Sequence, residues 1–292
     1  MSSRAFVIGA AALTFLVGST AHAQERPRVR RLAYDARVDF AVTLTGLVWY
    51  VTSEVLKGQL VPKKCRWCYR RADGSDALNG VDGSVRRALV WKDPRTPHSI
   101  SNALAFGILP VTSIGLLNLA AVHDGASSQA PIDALLVAEA SMLALDVNQM
   151  AKYAFARERP FVHFLPRAPE EVRKLTASPS DDNLSFFSGH TTGAFAVATS
   201  AGTIASMRGY RLAPLVWGTG VANALAVGYL RIAADKHYFS DVVVAAIFGT
   251  LIGAGIPLLF HRPEGDLEAS RPSSTPAGTA SAPASFSFSG TW

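Results

Sequence analysis

Six long apolar stretches restrict the fold of this chain more than any other feature of its sequence. Each is about 17–22 residues long, which exceeds normal strand lengths, and strict alternation of apolar and polar residues is rare. We therefore predict an all-α fold, a helical bundle of about six long helices. The stretches are residues 38–56, 101–122, 132–151, 190–206, 212–232 and 241–259.

Two of these stretches are candidates for crossing a membrane. Residues 101–122 and 242–260 carry no charge and are long enough to span a bilayer. Residues 132–151, in contrast, contain Asp133 and Glu139, which are costly in lipid. The pattern fits a partly membrane-embedded bundle or a large soluble one, and the two uncharged stretches favour the membrane.

The N-terminus resembles an export signal. Arg4 precedes an uncharged run over residues 5–17, and Ala21-His22-Ala23 matches a small-x-small cleavage pattern. Four arginines within residues 26–31 would resist translocation of a cleaved product, so a retained anchor is the alternative. We predict that residues 1–23 are a signal peptide or an N-terminal anchor and that the protein is exported.

The remaining chain divides by composition. Residues 24–100 form an N-terminal extension that contains Cys65 and Cys68. Its polar segment, residues 57–95, has turn signals at Asp73-Gly74, Asn79-Gly80 and Asp82-Gly83 and one short helix predicted near 85–91. Residues 101–262 form the predicted core, with helix 38–56 packed on it. Residues 263–292, rich in Ser, Ala and Pro, are predicted to be a disordered tail.

Charge and cysteine content exclude several functions. The net charge of +6 is modest for 292 residues, and no segment interleaves Lys or Arg with aromatics, so nucleic acid is not expected as a partner. Anionic phosphates or lipid headgroups suit a mildly basic protein.

The chain has two cysteines, Cys65 and Cys68. A zinc site would need a second pair, and haem attachment would need a His directly after Cys68, and neither is present. A local disulfide in an oxidising compartment is the favoured interpretation.

Three short motifs follow the apolar helices in order. Lys152 and Arg159 are seven residues apart, which predicts one shared helix face before Pro160, where two cations could hold a phosphate. Ser188-Gly189-His190 opens a predicted helix whose free N–H groups suit an anion. Taken alone, each motif is better explained as an ordinary helix end.

The third motif consists of Arg231, His237 and Asp241. The spacing of four residues between His237 and Asp241 lets a carboxylate hold one imidazole nitrogen and leave the other free for attack. A capped helix beside a surface histidine is again the plainer alternative. Together, however, the three motifs supply cations, backbone donors, an acid, a nucleophile and its orienting carboxylate.

These motifs resemble the signature of the type 2 phosphatidic acid phosphatase (PAP2) and vanadium haloperoxidase superfamily. The resemblance implies a helical bundle in which His237 attacks phosphorus, Asp241 orients it and His190 protonates the leaving group. It implies further that the phosphate is bound by a set of five residues: Lys152, Arg159, Ser188, Gly189 and Arg231. It implies no metal and no cofactor.

The chain departs from the family pattern at two positions. Phe187 replaces the usual proline before Ser188, and Leu230 replaces the usual serine before Arg231. Neither change removes a catalytic group. The first is expected to loosen the start of the fourth long helix, and the second removes a hydroxyl near the phosphate site.

The resemblance implies a metal-independent phosphatase for phosphate monoesters, with a phosphorylated lipid or a small phosphate as substrate. A vanadium haloperoxidase, with vanadate as cofactor, and a soluble periplasmic acid phosphatase are the alternatives. The expected location is the bacterial inner membrane with the site facing the periplasm, or the periplasm itself. If all six helices span, the motifs would face the cytoplasm, whether the N-terminal segment is cleaved or retained as an anchor. We therefore predict either that helix 38–56 does not cross, with the N-terminal segment retained, or that nothing spans and the protein is soluble and periplasmic.

Overall fold

The structure, a computed structural model, describes residues 29–71, 73–164 and 179–265. Within these ranges it is helical and has isolated β-bridges but no strand, so the all-α prediction is confirmed. The predicted signal or anchor, residues 1–23, and residues 266–292 of the predicted tail lie outside the described residues.

The six apolar stretches all form helices, with one further helix of ten residues between the first two and single-turn helices at Lys57–Leu60 and Pro160–His163. Asn79 starts that additional helix earlier than the sequence predicts, because its side chain accepts a hydrogen bond from the Asp82 N–H at 2.9 Å. The helices are α1 (Ala36–Val55), α2 (Gly80–Leu89), α3 (Arg95–His123), α4 (Ala130–Phe155), α5 (Gly189–Arg208), α6 (Ala213–Ala233) and α7 (Phe239–Phe260).

Helix α5 lies at the centre of the bundle and packs against α3, α4, α6 and α7. Glycines let α7 approach it closely. A Cβ atom at Gly249 would lie 2.5 Å from the Thr192 carbonyl oxygen, and one at Gly253 would lie 2.6 Å from the Ala196 carbonyl oxygen. Small residues at such crossings allow backbones to pack tightly.

The helices alternate in direction, which gives the bundle two distinct ends. Helices α1, α4 and α6 finish, and α3, α5 and α7 begin, at one end, which we call the upper end. The first and last described residues meet at the opposite, lower end. There the Ala33 N–H donates to the Arg262 carbonyl oxygen at 2.9 Å, and Leu32 pairs with Pro263.

The polar segment of the extension covers the upper end. The Arg66 N–H donates to the Ala156 carbonyl oxygen, and the Glu158 N–H donates to the Trp67 carbonyl oxygen, each at 3.1 Å. Cys65 and Cys68 are joined by a disulfide, with Cα atoms 5.6 Å apart. Helix α3 begins at Arg95 and runs straight through the predicted domain boundary at residues 100 and 101, so extension and core share a helix.

Three helices, α3, α6 and α7, are long and apolar enough to cross a membrane. Their outer faces carry exposed large side chains such as Val111, Leu225 and Leu251. Soluble monomers rarely expose apolar surface of this extent, so these faces suit lipid.

Candidate active site

A cavity of about 350 Å³ opens at the upper end of the bundle. Residues from α1, α3, α4, α5 and α6 line it, together with the segments before α5 and α7. Six of the eight residues predicted for catalysis and phosphate binding line it: Lys152, Arg159, Gly189, His190, Arg231 and His237. The other two, Ser188 and Asp241, are buried and do not line it.

His237 presents one ring nitrogen to this cavity. Its Nδ1 lies 2.8 Å from the Ser185 carbonyl oxygen, which can only accept, so Nδ1 carries the proton. Nε2 is then unprotonated and accepts a hydrogen bond from Arg159 at 3.3 Å. Burial first, and then Arg159 and Arg231, hold the pKa of His237 well below its usual value. The imidazole is therefore neutral, and its unprotonated Nε2 carries an electron pair on the cavity side.

Asp241 does not hold His237 in the way the sequence predicts. Its Oδ2 lies 3.7 Å from the His237 Nδ1, which is too long for a hydrogen bond. Oδ2 instead accepts the Ser185 hydroxyl at 2.6 Å and the Tyr238 N–H at 2.9 Å. Because Ser185 supplies the carbonyl that binds His237, the carboxylate orients the imidazole through Ser185.

Two helix assignments in the motifs also need correction. Helix α4 ends at Phe155, and Ala156 has a left-handed backbone, so Arg159 is not on the helix face of Lys152. The two cations converge because the chain turns back over the cavity. Helix α7 begins at Phe239, two residues before the predicted start at Asp241, so Asp241 lies within its first turn and not at its cap, while His237 precedes the helix as predicted.

Three cations converge on the cavity wall beside His237. Arg159 is fixed by the carbonyl oxygens of Asp181 at 2.7 Å and Lys236 at 3.0 Å. Enclosure in the cavity, followed by Arg159, lowers the pKa of Lys152 to about 8. Together with Arg231 they create a concentrated positive charge that an anion would neutralise.

The start of α5 brings backbone close to Lys152. A Cβ atom on Gly189 would lie 2.9 Å from both the Lys152 Nζ and the Asn148 Oδ1, so a side chain here would displace these groups. Ser188 caps α5, as predicted, and its Oγ accepts from the Thr191 N–H at 3.4 Å. Phe187 is buried, stacks on Phe248 with ring centroids 5.2 Å apart, and so fixes the start of α5 in place of the missing proline.

Helix α3 contributes residues that the sequence analysis missed. The Asn102 Oδ1 lies 2.7 Å from the His190 Nε2 and can only accept, so Nε2 carries a proton and donates it to Asn102. Nδ1 is then the ring nitrogen that Asn102 does not occupy. One Arg231 nitrogen contacts both the His98 Nδ1 and the Ser101 Oγ at 3.1 Å. A π-helical turn, Leu104–Ile108, follows these residues, as often occurs near functional sites.

The sequence analysis also missed Arg157, which is fully buried behind the cavity. It contacts Asp241 and the Tyr69 hydroxyl, and it donates to the Asp82 carboxylate at 2.8 Å. Its guanidinium also lies over the Trp67 ring, 4.3 Å from the centroid. Arg157 thus connects the extension to the carboxylate that supports His237.

A charged rim surrounds the mouth of the cavity. Lys57 lies 2.7 Å from both Glu54 and Asp181. Burial acts to raise the pKa of Asp181, but Arg159 and Lys57 outweigh it and hold that pKa well below the usual range. Burial, followed by Arg159, lowers the pKa of Lys236 to about 8. The rim therefore contributes both signs of charge, while the interior is strongly positive.

Comparisons with known proteins agree with the three motifs. Residues 133–264 match the model of the PAP2 superfamily. A search of solved structures finds the crystal structure of a transmembrane PAP2 type phosphatidylglycerolphosphate phosphatase from Bacillus subtilis, with 16% identity and a TM-score of 0.44 over 80% of this chain and 98% of that one. Curated protein sequences give no significant match. The matched segment, residues 133–264, carries all three motifs, so this part of the chain is similar to the PAP2 superfamily.

Proposed function

We propose that the protein is a metal-independent phosphatase that hydrolyses phosphate monoesters through a phosphohistidine at His237. The neutral imidazole carries this proposal, because its free Nε2 lies within a cavity that is lined by Lys152, Arg159 and Arg231. Phosphoryl transfer needs mainly positioning and charge stabilisation, and both are present.

In the first step the His237 Nε2 attacks phosphorus, and the bond from phosphorus to the ester oxygen breaks. His190 gives a proton to the departing oxygen, which leaves as an alcohol. In the second step His190 takes a proton from water, whose oxygen attacks phosphorus. The P–N bond then breaks, and inorganic phosphate and free His237 result. The three cations hold the non-bridging oxygens throughout, helped by the Gly189 N–H, while Ser188 acts only indirectly by capping α5.

A phosphorylated lipid is the proposed substrate class. The apolar outer faces of α3, α6 and α7 support membrane association, and the cavity opens at one end of these helices. A headgroup phosphate at the bilayer surface would then reach the cavity without the lipid leaving the membrane. Soluble phosphate monoesters are the alternative.

We further propose that the upper end faces the periplasm. A membrane-spanning bundle in this orientation has residues 29 and 265 on the cytoplasmic side, since both lie at the lower end. It requires α1 to cross with the bundle, in place of the expected export of residue 29 by residues 1–23. A fluorescent protein that folds only in the cytoplasm, fused after Gly265, should then be bright. A dark fusion, with an alkaline phosphatase fusion active at the same position, would contradict this orientation and favour a soluble periplasmic protein or an inverted bundle.

The activity is tested by phosphate release from purified protein in EDTA. A short-chain phosphatidate and a soluble aryl phosphate are compared, and vanadate is added as an inhibitor that mimics phosphate. Release that vanadate blocks supports the phosphatase, and the preferred substrate separates lipid from soluble chemistry. Absence of release together with vanadate-dependent bromide oxidation would instead identify the haloperoxidase alternative.

Gly189→Ala should impair the reaction without unfolding the protein. The new methyl group would displace the Lys152 ammonium, which lies 2.9 Å from its position, and misplacing a phosphate ligand by about 1 Å costs about 100-fold in rate. Gly218→Ala is the control, since nothing lies within 4 Å of its Cβ position. Equal activity of the two variants would contradict the proposed role of Lys152.

Asn102→Asp should shift the pH dependence of kcat. Burial first, and then Arg231, Lys152, Arg159 and His98, lowers the pKa of His190. A carboxylate at position 102 would favour the imidazolium and raise that pKa. The alkaline limb, where the acid loses its proton, should then move up by about one pH unit. Asn102→Ala should lower kcat without this shift, and an unmoved limb in Asn102→Asp would exclude His190 as the acid.

A further inference from the structure

A cluster of three ionisable side chains lies at the lower end of the bundle, far from the active site. Asp39 comes from α1, Glu139 from α4, and His261 directly follows α7. All three are buried, and one donor atom from each lies within 4.8 Å of the other two. Neither the three motifs nor the proposed reaction uses any of them.

The hydrogen bonds of His261 fix which nitrogen faces the carboxylates. Nδ1 lies 3.1 Å from the Ala33 carbonyl oxygen, so it carries a proton and donates it. Nε2 faces the Glu139 Oε2 at 3.0 Å. A lone pair and a carboxylate oxygen at this distance repel each other unless a proton or a metal ion lies between them.

A divalent metal ion balances the charge of the cluster without the two added protons that a metal-free cluster would need. With His261 protonated, the cluster would hold one positive and two negative charges away from water. Within the described ranges, no lysine or arginine forms an ion pair with Asp39 or Glu139, so one negative charge would remain unless Asp39 also carried a proton. A divalent cation with a neutral imidazole and two carboxylates brings the net charge to zero.

The surroundings of the three side chains also match a metal site. Ligating histidines usually donate their other N–H to a carbonyl or carboxylate, as His261 does to Ala33. Asp39 is oriented in the same manner, because its Oδ2 accepts the Asp35 N–H at 3.1 Å. One imidazole and two carboxylates suit zinc or manganese, with water completing the coordination.

We infer that Asp39, Glu139 and His261 bind one divalent transition-metal ion that joins the ends of α1 and α7 to the side of α4. The ion has a structural role, because the cluster lies at the end opposite the cavity. The inference is thus independent of the proposed phosphatase, whose chemistry needs no metal. A failed activity test in EDTA would leave the inferred metal site intact, and a failed metal-binding test would leave the proposed phosphatase intact.

The test uses the full chain in detergent, purified without a polyhistidine tag, stripped with EDTA and then dialysed. Addition of Zn²⁺ or Mn²⁺ should give one bound ion per chain by elemental analysis and should raise the Tm by about 5 °C or more at saturation. Glu139→Gln should lose both effects. His123→Gln, at the same end of the bundle, should retain both.

Asp39→Asn serves as a second variant if Glu139→Gln does not fold, and it should also lose the bound ion. Two outcomes would overturn the inference. One is wild-type protein that binds neither ion and shows no change in Tm, which would identify the cluster as a buried histidine–carboxylate ion pair. The other is unchanged binding in both variants, which would place the ion elsewhere.

Discussion

His237→Ala should reduce phosphate release by about 10⁴-fold or more, because it removes the atom that attacks phosphorus. The side chain is buried and its hydrogen bonds are with the Ser185 carbonyl and with Arg159, which keeps two other partners, so its truncation should leave the helices intact. Initial rates of phosphate release in EDTA measure the effect, and circular dichroism verifies the fold.

His123→Ala provides the matched control, since it also removes an imidazole but at the exposed end of α3. Its rate should equal that of the wild type. If His237→Ala retained more than about a tenth of the wild-type rate, the nucleophile would have to be another group. In that case the cations would serve a different reaction, such as direct attack by water.

Arg157→Met should cause the largest loss of stability, about 3–5 kcal/mol. The substitution keeps much of the aliphatic volume but leaves the buried carboxylates of Asp82 and Asp241 without their shared cation. It also removes the contact of the guanidinium with the Trp67 ring. Thermal and chemical unfolding in detergent measure the change.

Arg95→Met is the control for this substitution, because the Arg95 side chain is 92% exposed. Exposed ion pairs contribute at most about 1 kcal/mol. If both variants were destabilised by the same small amount, the buried network would not be a main support of the site. If Arg157→Met folds, its activity should also fall, because Asp241 and Ser185 would no longer be held in place beside His237.

The helices were the most predictable part of the fold. Apolar runs as long as those that became α3 and α7 exceed any ordinary strand, so composition and length were sufficient. Helix ends were less predictable because they depend on individual caps. Asn79 starts α2 where the sequence suggested turns, and Ala156 ends α4 before Arg159.

The three motifs predicted which residues line the cavity, but they did not predict the geometry that brings these residues together. Lys152 and Arg159 do meet, but through a reversal of the chain and not through a shared helix face. Asp241 was assigned to His237 from their spacing, yet Arg157 and Ser185 take its oxygens. Spacing along a sequence cannot show which of several nearby donors a carboxylate will choose.

The contribution of α3 could not have been predicted from local pattern. Asn102 is 88 residues from His190 in sequence, and His98 is 133 residues from Arg231. These contacts exist because α3 packs beside α5 and α6, which is a property of the whole bundle. Arg157 lies inside the first motif, but only its complete burial reveals its role.

The central claim is that His237 carries the phosphoryl group, and trapping the phosphorylated enzyme tests it most directly. Wild-type protein would be mixed with an aryl phosphate, quenched in alkali and analysed by mass spectrometry of its peptides. We predict an added phosphoryl group on the peptide that contains His237, stable in alkali and lost in acid, and absent from His237→Ala. Phosphate release by wild-type protein with no phosphorylated His237, or with the group on another residue, would contradict the account.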